Sequence, residues 1–267
     1  MKKSLNVLLA IILITTIAIT GCQSKSENDK VIVVGASPEP HAQMLELIAD
    51  DLAKEGYELK IVEFTDYVKP NLALDEKELD ANFFQHLPYL EDFNEKNSLD
   101  LVSLASTHIE PMGLYSKQID NIDELNDGAE IAIPNDTVNG SRALLFLEDK
   151  GLIELKEGAG FSATEKDIVK NPKNLKFKLL EAALLPRALD EVDAAAINGN
   201  YALQANLSPS KDAILLERSD SPYANIVAIR KGEENSPKLK ALVKALQSDK
   251  IKNFIKEKYG DGVVPSF

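Results

Sequence analysis

An α/β fold follows from three features of this 267-residue sequence. Short runs rich in valine and isoleucine recur, stretches with apolar residues at helical spacing separate them, and glycine or proline stands at the joints. Val31 to Gly35 (VIVVG) is an unbroken β-branched run, as a strand buried on both faces requires. Ser37-Pro38-Glu39-Pro40 then breaks the chain. From His41 to Lys54 the apolar residues Met44, Leu45, Ile48 and Leu52 recur at helical spacing, and Gly56 is a natural stop just past the helix end. Leu59 to Phe64 returns to strand. A strand–helix–strand unit of this kind builds a parallel sheet.

The alternation continues along the chain. Leu101 to Ala105 and Ile131 to Ile133 are expected strands. Ser141 to Lys150 is an expected helix, with Leu144, Leu145 and Phe146 inward and Gly151 at its end. Ser162-Ala163-Thr164-Glu165 has the form of a capping box opening a short helix to Lys170. Leu175 to Leu180, Ala194 to Ile197 and Ile226 to Ile229 are further strands. Ser236 to Lys258 carries one long helix or two short ones, packed through Leu239, Leu242, Val243, Leu246, Ile251, Phe254 and Ile255. Asp75, Glu76, Glu78 and Asp80 alternate with Lys77 and apolar residues, the pattern of a solvated helix face. No repeat of 20–50 residues is present.

Bulk properties narrow the function. With 44% hydrophobic and 27% charged residues the chain is an ordinary globular protein. Its net charge is -13, and removal of the segment before Cys22, whose only charges are Lys2 and Lys3, makes it -15. That charge repels nucleic acid, and no run of five basic residues offsets it, so no nucleic-acid partner is expected. Cys22 is the single cysteine, which excludes an internal disulfide and a multi-cysteine metal site. His41, His86 and His108 form no metal-ligand spacing, and no metal or cofactor is expected.

The N-terminus reads as an export signal. Lys2 and Lys3 form a positive start, and the apolar run Val7 to Ile19 is too short to span a bilayer. Ile19-Thr20-Gly21-Cys22 then places an aliphatic residue and two small ones before the only cysteine. This resembles a bacterial lipoprotein cleavage site. Residues 1–21 are therefore expected to be a signal peptide. Cys22 would carry the lipid, and residues 22–30 a polar tether. The expected location is the extracytoplasmic face of the cell membrane. Two or more acyl chains make such an anchor stable, at about 0.8 kcal/mol per buried methylene.

Nothing marks catalysis: the chain has no nucleophile elbow, P-loop or dinucleotide fingerprint. Candidate binding groups cluster where strands end, which is where α/β proteins hold ligands. Phe83-Phe84-Gln85-His86-Leu87-Pro88-Tyr89 sets aromatic rings and an imidazole close together, a wall suited to a thioether or simply to a core. Asn139-Gly140-Ser141-Arg142 lies at the mouth of a helix, where N–H groups and a guanidinium favour a carboxylate; the arginine could equally pair with a surface acid. Asn198 and Asn225 end apolar strands, as amides that hold a zwitterion or as turn residues.

Longer stretches carry a family resemblance. Val62-Glu63-Phe64-Thr65-Asp66-Tyr67-Val68-Lys69-Pro70-Asn71, Leu79 to Leu90, and Glu110-Pro111-Met112-Gly113-Leu114-Tyr115 are similar to the methionine-binding lipoproteins of ABC importers, the NlpA family. So are Ile133-Pro134-Asn135-Asp136 with Arg142, Leu185-Pro186-Arg187, Ala196 to Ala202, and Ser221-Pro222-Tyr223-Ala224-Asn225. The resemblance spans Val31 to Pro265. It implies a two-lobed, periplasmic-binding-protein-like fold with a central cleft and two crossing strands, near Pro111 and near Asn225. One lobe would comprise residues 31–111 and 226–267, the other 112–225. It also implies a methionine pocket. Tyr67, Phe84, His86 and Tyr89 would surround the side chain, Arg142 would pair with the carboxylate, and Asn198 and Asn225 would hold the polar end, with Asn200 behind Asn198. The implied partners are methionine and an ABC permease with its ATPase, and the chain would act as a monomer.

Three other readings stay open. The receptor could serve D-methionine, methionine sulfoxide or a methionine-containing dipeptide. The fold could serve surface adhesion. An extracytoplasmic enzyme would need an activated base, for which His86 is the obvious candidate.

Overall fold

The computed structural model describes residues 30–267. The expected signal peptide, Cys22 and most of the tether lie outside the described residues. Among the described residues, no helix is long and apolar enough to cross a membrane.

Strand β1 (Val31–Ala36) leads through a helical turn at Pro38–Ala42 into α1 (Gln43–Lys54) and then β2 (Glu58–Glu63). β1 and β2 pair in parallel, with Val31 opposite Glu58, as the first strand–helix–strand unit predicts. Gly56 has φ +87°, the left-handed conformation that ends α1 without a Cβ penalty. A short helix α2 (Lys69–Asp75), strand β3 (Ala81–His86) and helix α3 (Leu87–Asn97) follow, then the long β4 (Leu101–Ile109). Strand β5 (Gly113–Tyr115) opens a second sheet with β6 (Glu130–Pro134), helix α4 (Thr137–Asp149), the small hairpin of β7 (Glu154–Leu155) and β8 (Ile168–Lys170), and β9 (Lys176–Leu180). Helix α5 (Leu185–Ala188), β10 (Ala194–Ile197), α6 (Gly199–Gln204), α7 (Pro209–Asp212) and β11 (Leu215–Leu216) complete that region. The chain then forms β12 (Ala224–Arg230), α8 (Pro237–Leu246), α9 (Asp249–Tyr259) and β13 (Val264–Pro265).

The first sheet has the order β13-β4-β12-β3-β1-β2, and the second β11-β5-β10-β6-β9. The chain passes from one sheet to the other twice, through Glu110–Met112 and through Glu217–Tyr223. Central strands are apolar on both faces because helices cover both. In β12, Val227 and Ile229 face a core shared with α1, α8 and α9, while Ile226 and Ala228 face Leu74 and Leu90 on the other side. In β10, Ala194 and Ala196 pack toward α4, and Ala195 and Ile197 pack toward α5 and α6. The period of two along each strand thus divides the side chains between two cores.

The structure decides one open alternative and departs from expectation elsewhere. The region Ser236–Lys258 is two helices, α8 and α9, broken at Ser248, which caps α9 by accepting from Ile251 N–H. The capping box is formed by Thr164 with Asp167, not by Ser162 with Glu165. It caps a single 3-10 turn, after which Ile168–Lys170 is strand rather than helix. Asp80 is not on a solvated helix face. Its carboxylate accepts from Val33 N–H at 2.8 Å and from Lys238 at 2.7 Å, tying β1 to the start of α8.

Candidate functional site

A cavity lies between the carboxyl ends of β3 and β10. Tyr67, Phe84, His86, Tyr89, Arg142, Asn198 and Asn225 all line it. So do Asn200, and also Gln85, Glu110, Asn139 and Gly199, which sequence reasoning did not single out. All four stood inside quoted motifs: Gln85 in Phe83–Tyr89, Glu110 opening Glu-Pro-Met-Gly, Asn139 opening Asn-Gly-Ser-Arg, and Gly199 in Ala196–Ala202.

One side of the cavity is aromatic. Tyr67, Phe84 and Tyr89 form a cluster with ring centroids 5.8–6.2 Å apart. The Tyr89 hydroxyl donates to Tyr67 O at 3.0 Å. Tyr201 stacks on Tyr67 at 4.9 Å and donates to Thr65 O at 3.1 Å, joining α6 to the segment before α2.

The polar side is ordered by hydrogen-bond direction. Asp136, the N-cap of α4, accepts from Asn139 N–H at 2.9 Å. It also accepts from Asn139 Nδ2 at 3.0 Å, so Asn139 must turn its Oδ1 the other way. That oxygen accepts from Asn198 Nδ2 at 2.8 Å and faces His86 Nε2 at 3.2 Å. His86 is the N-cap of α3, and its Nδ1 accepts from Tyr89 N–H at 3.3 Å, so the hydrogen sits on Nε2 and is donated to Asn139. Burial, helped by the charge of Arg142, lowers His86 to about 3 and keeps the ring neutral. Both ring nitrogens are thus spent on positioning, which leaves no basic lone pair for proton abstraction.

This chain of directions ends at two unsatisfied atoms. Asn198 has given its Nδ2 to Asn139, and its Oδ1 is buried with no partner. Asn200 accepts the Tyr67 hydroxyl on Oδ1 at 2.5 Å, and its Nδ2 is buried with no partner. One free acceptor and one free donor therefore line the same cavity. Leaving both unmade costs roughly 1–3 kcal/mol each.

Arg142, in the second turn of α4, is buried. Its Nε and Nη2 clamp the two carboxylate oxygens of Glu217 at 3.1 and 2.5 Å. The same Nη2 donates to Glu110 O at 2.8 Å, and the guanidinium lies 4.2 Å from the Tyr223 ring centre. No described bond occupies Nη1. Asn225 turns its Oδ1 to His41 Nε2 at 3.1 Å, which fixes its amide. His41, distant in sequence from His108 and Glu110, brings its donor atom to theirs, all three within 4.8 Å of one another, all buried and all engaged in hydrogen bonds.

Comparison with known proteins places the chain in a family. The family model described as NlpA lipoprotein matches residues 32–267. The methionine-binding lipoprotein MetQ of Bacillus subtilis is 44% identical over 271 residues, covering 99% of each chain. A nutrient binding protein from Burkholderia cenocepacia, solved bound to methionine, is 48% identical with a TM-score of 0.86; the match covers 88% of this chain and all of that one. An ABC transporter periplasmic substrate-binding protein from Coxiella burnetii is 47% identical with a TM-score of 0.85, covering 88% and 100%.

Proposed function

Because the chain belongs to the NlpA lipoprotein family, we propose that it is an extracytoplasmic solute-binding lipoprotein that captures methionine and delivers it to an ABC importer. The observation that carries this reading is the pairing of an unfilled acceptor, Asn198 Oδ1, with an unfilled donor, Asn200 Nδ2, beside the guanidinium of Arg142. A zwitterion needs those groups: an acceptor for its ammonium, and donors with a fixed positive charge for its carboxylate. The free Nη1 of Arg142 serves the carboxylate. The side chain of Asn225 borders the same polar end. Tyr67, Phe84, His86 and Tyr89 supply the apolar wall, and sulfur–aromatic contacts are worth about 0.3–1.5 kcal/mol each.

The names of the Bacillus and Burkholderia relatives support the same ligand. The two passages between the sheets support a division into lobes 31–111 plus 226–267 and 112–225. Closure of those lobes on the ligand would create the surface a permease with its ATPase reads. In this reading Cys22 carries the lipid, the chain acts as a monomer at the outer face of the membrane, and it has no catalytic role.

Calorimetric titration tests the reading. The protein would be unfolded and refolded to strip carried ligand, then titrated with L-methionine, D-methionine, Gly-Met and leucine. Saturable one-to-one binding of L-methionine over leucine is expected. Preference for D-methionine or Gly-Met would move the ligand, and no binding by folded protein would sink the pocket assignment.

A further inference from the structure

Glu110 lines the cavity, and its Oε1 lies 2.7 Å from His108 Nε2 and 3.2 Å from His41 Nε2. Hydrogen-bond directions around this trio leave one proton to be assigned. The Asn225 carbonyl can only accept, so the Thr107 hydroxyl spends its single proton there, at 3.0 Å. Toward His108 Nδ1, also at 3.0 Å, the Thr107 oxygen can then only accept. Nδ1 of His108 therefore carries a hydrogen. A neutral ring of that tautomer presents a lone pair on Nε2. An ionised Glu110 oxygen cannot rest 2.7 Å from a lone pair unless a proton lies between them.

His41 does not supply that proton. Its Nδ1 takes the Ser37 hydroxyl at 2.6 Å, and its Nε2–H is directed at Asn225 Oδ1 and Glu110. One proton is thus shared between Glu110 and His108. Both groups are buried, and burial alone favours the neutral arrangement. It raises Glu110 above the usual carboxylate range and lowers His108 to about 3.

We propose that Glu110 and His108 form a proton-sharing pair that reads the α-ammonium of the ligand. The proton rests on Glu110 Oε1 in the ligand-free protein and moves to His108 Nε2 when an ammonium enters the cavity. This inference rests on the amino-acid reading above. The Oε1–H bond breaks and the Nε2–H bond forms. The ligand keeps its three ammonium protons, and none is exchanged with solvent. An ammonium in a dry cavity favours an ionised carboxyl beside it; the carboxylate then faces both the ammonium and the imidazolium, and the Glu110–His108 pair keeps a net charge of zero. His41, Arg142 and the backbone N–H of Asn200 each favour an ionised Glu110, but burial outweighs them. Arg142 is already matched by Glu217, His41 donates to Glu110 as a neutral ring, and burial keeps the Tyr67 and Tyr259 hydroxyls protonated. Glu110 also packs tightly in place. A Cβ on Gly199 would come within 2.7 Å of Glu110 Cβ, so the backbone of α6 lies directly against it.

The chain has three histidines, so ring-nitrogen NMR resolves the pair. The full chain in detergent, labelled at histidine nitrogen, would be recorded alone, with L-methionine, and with 4-(methylthio)butanoate, which lacks the ammonium. The His108 signals are identified by their loss in His108→Gln. L-Methionine should convert His108 from the neutral Nδ1–H form to imidazolium, and the analogue should leave it neutral. In parallel, Glu110→Gln should weaken L-methionine at least tenfold, about the value of one charge-assisted bond, and leave the analogue within about twofold. A His108 spectrum unchanged at saturation with L-methionine overturns the proposal. So does a Glu110→Gln variant that weakens both ligands alike, the signature of a purely structural role. If the wild-type protein binds neither compound, the amino-acid reading falls and the proton shift falls with it.

Discussion

Replacing Arg142 by alanine tests the centre of the polar site. The guanidinium is buried, and three of its connections are to protein: the Nε and Nη2 clamp on Glu217, the Nη2 bond to Glu110 O, and the face-on contact with Tyr223. Two losses follow. The ligand carboxylate loses its fixed counter-charge, which should weaken methionine binding by roughly 2–5 kcal/mol, about 30- to 5,000-fold in Kd. Glu217 loses its partner and Tyr223 its cation, which should lower stability by a few kcal/mol. The two effects separate in the double variant Arg142→Ala/Glu217→Ala. Removing the stranded carboxylate should recover much of the stability and none of the affinity. Calorimetry with L-methionine and thermal melts of the wild type and both variants make the measurement. If affinity returns with stability in the double variant, Arg142 only holds Glu217 in place. Its assignment to the ligand carboxylate would then be wrong.

Other expectations test the surroundings of the site. Tyr67→Phe keeps the ring but frees Asn200 to rotate; methionine affinity should fall about 3- to 10-fold, as for one neutral hydrogen bond, and an unchanged Kd by calorimetry would remove the hydroxyl from any orienting role. Gly199→Ala drives a Cβ into Glu110 at 2.7 Å and should cost about 1–3 kcal/mol in chemical denaturation; an equally stable variant would mean the α6 contact is slack. Cys22→Ala should move the protein from the membrane fraction to the soluble one with binding intact, and a variant that stays membrane-bound would refute lipid attachment there. Acid should destabilise the fold. His41 and His86 are held near 4 and 3 against an ordinary 6.5, chiefly by burial, so the unfolded chain binds protons that the folded chain refuses. Stability is then full above pH 6.5 and declines as pH falls toward 4, by roughly 1 kcal/mol per unit for each histidine. A denaturation midpoint constant between pH 7 and 4.5 would contradict it.

How much could be read without coordinates depends on the range of the interaction involved. The runs Val31–Gly35 and Ala194–Ile197 identified themselves as central strands because burial on both faces leaves no polar position. The helix over Gln43–Lys54 was legible from its stripe and from Gly56, because spacing and the left-handed stop are local properties. Leu87–Asn97 is less legible, since its first turn holds Pro88 and the cavity residue Tyr89 and its apolar stripe is broken. The capping box was misplaced by two residues because Ser162 and Thr164 offer the same hydroxyl. Pairing across the β7–β8 hairpin, Glu154 opposite Lys170 and Leu155 opposite Ile168, together with the bond from Lys156 N–H to Asp167 O, favours the strand that follows.

The sequence alone determined the α/β class, the order of most elements, and a set of cavity-lining residues that stand in contiguous motifs. Each of these rests on periodicity or on residues close along the chain. Tertiary structure decided the rest. It opened the first sheet to β12 and passed the chain twice between the sheets. It paired Arg142 with Glu217 across 75 positions and brought His41 to Glu110 across 69. Above all it set the direction of each hydrogen bond, from the Asp136 carboxylate through Asn139 to His86 and Asn198. An amide in a sequence is both donor and acceptor, and only an obligate neighbour such as a buried carboxylate or a backbone N–H determines which of its ends is left for a ligand.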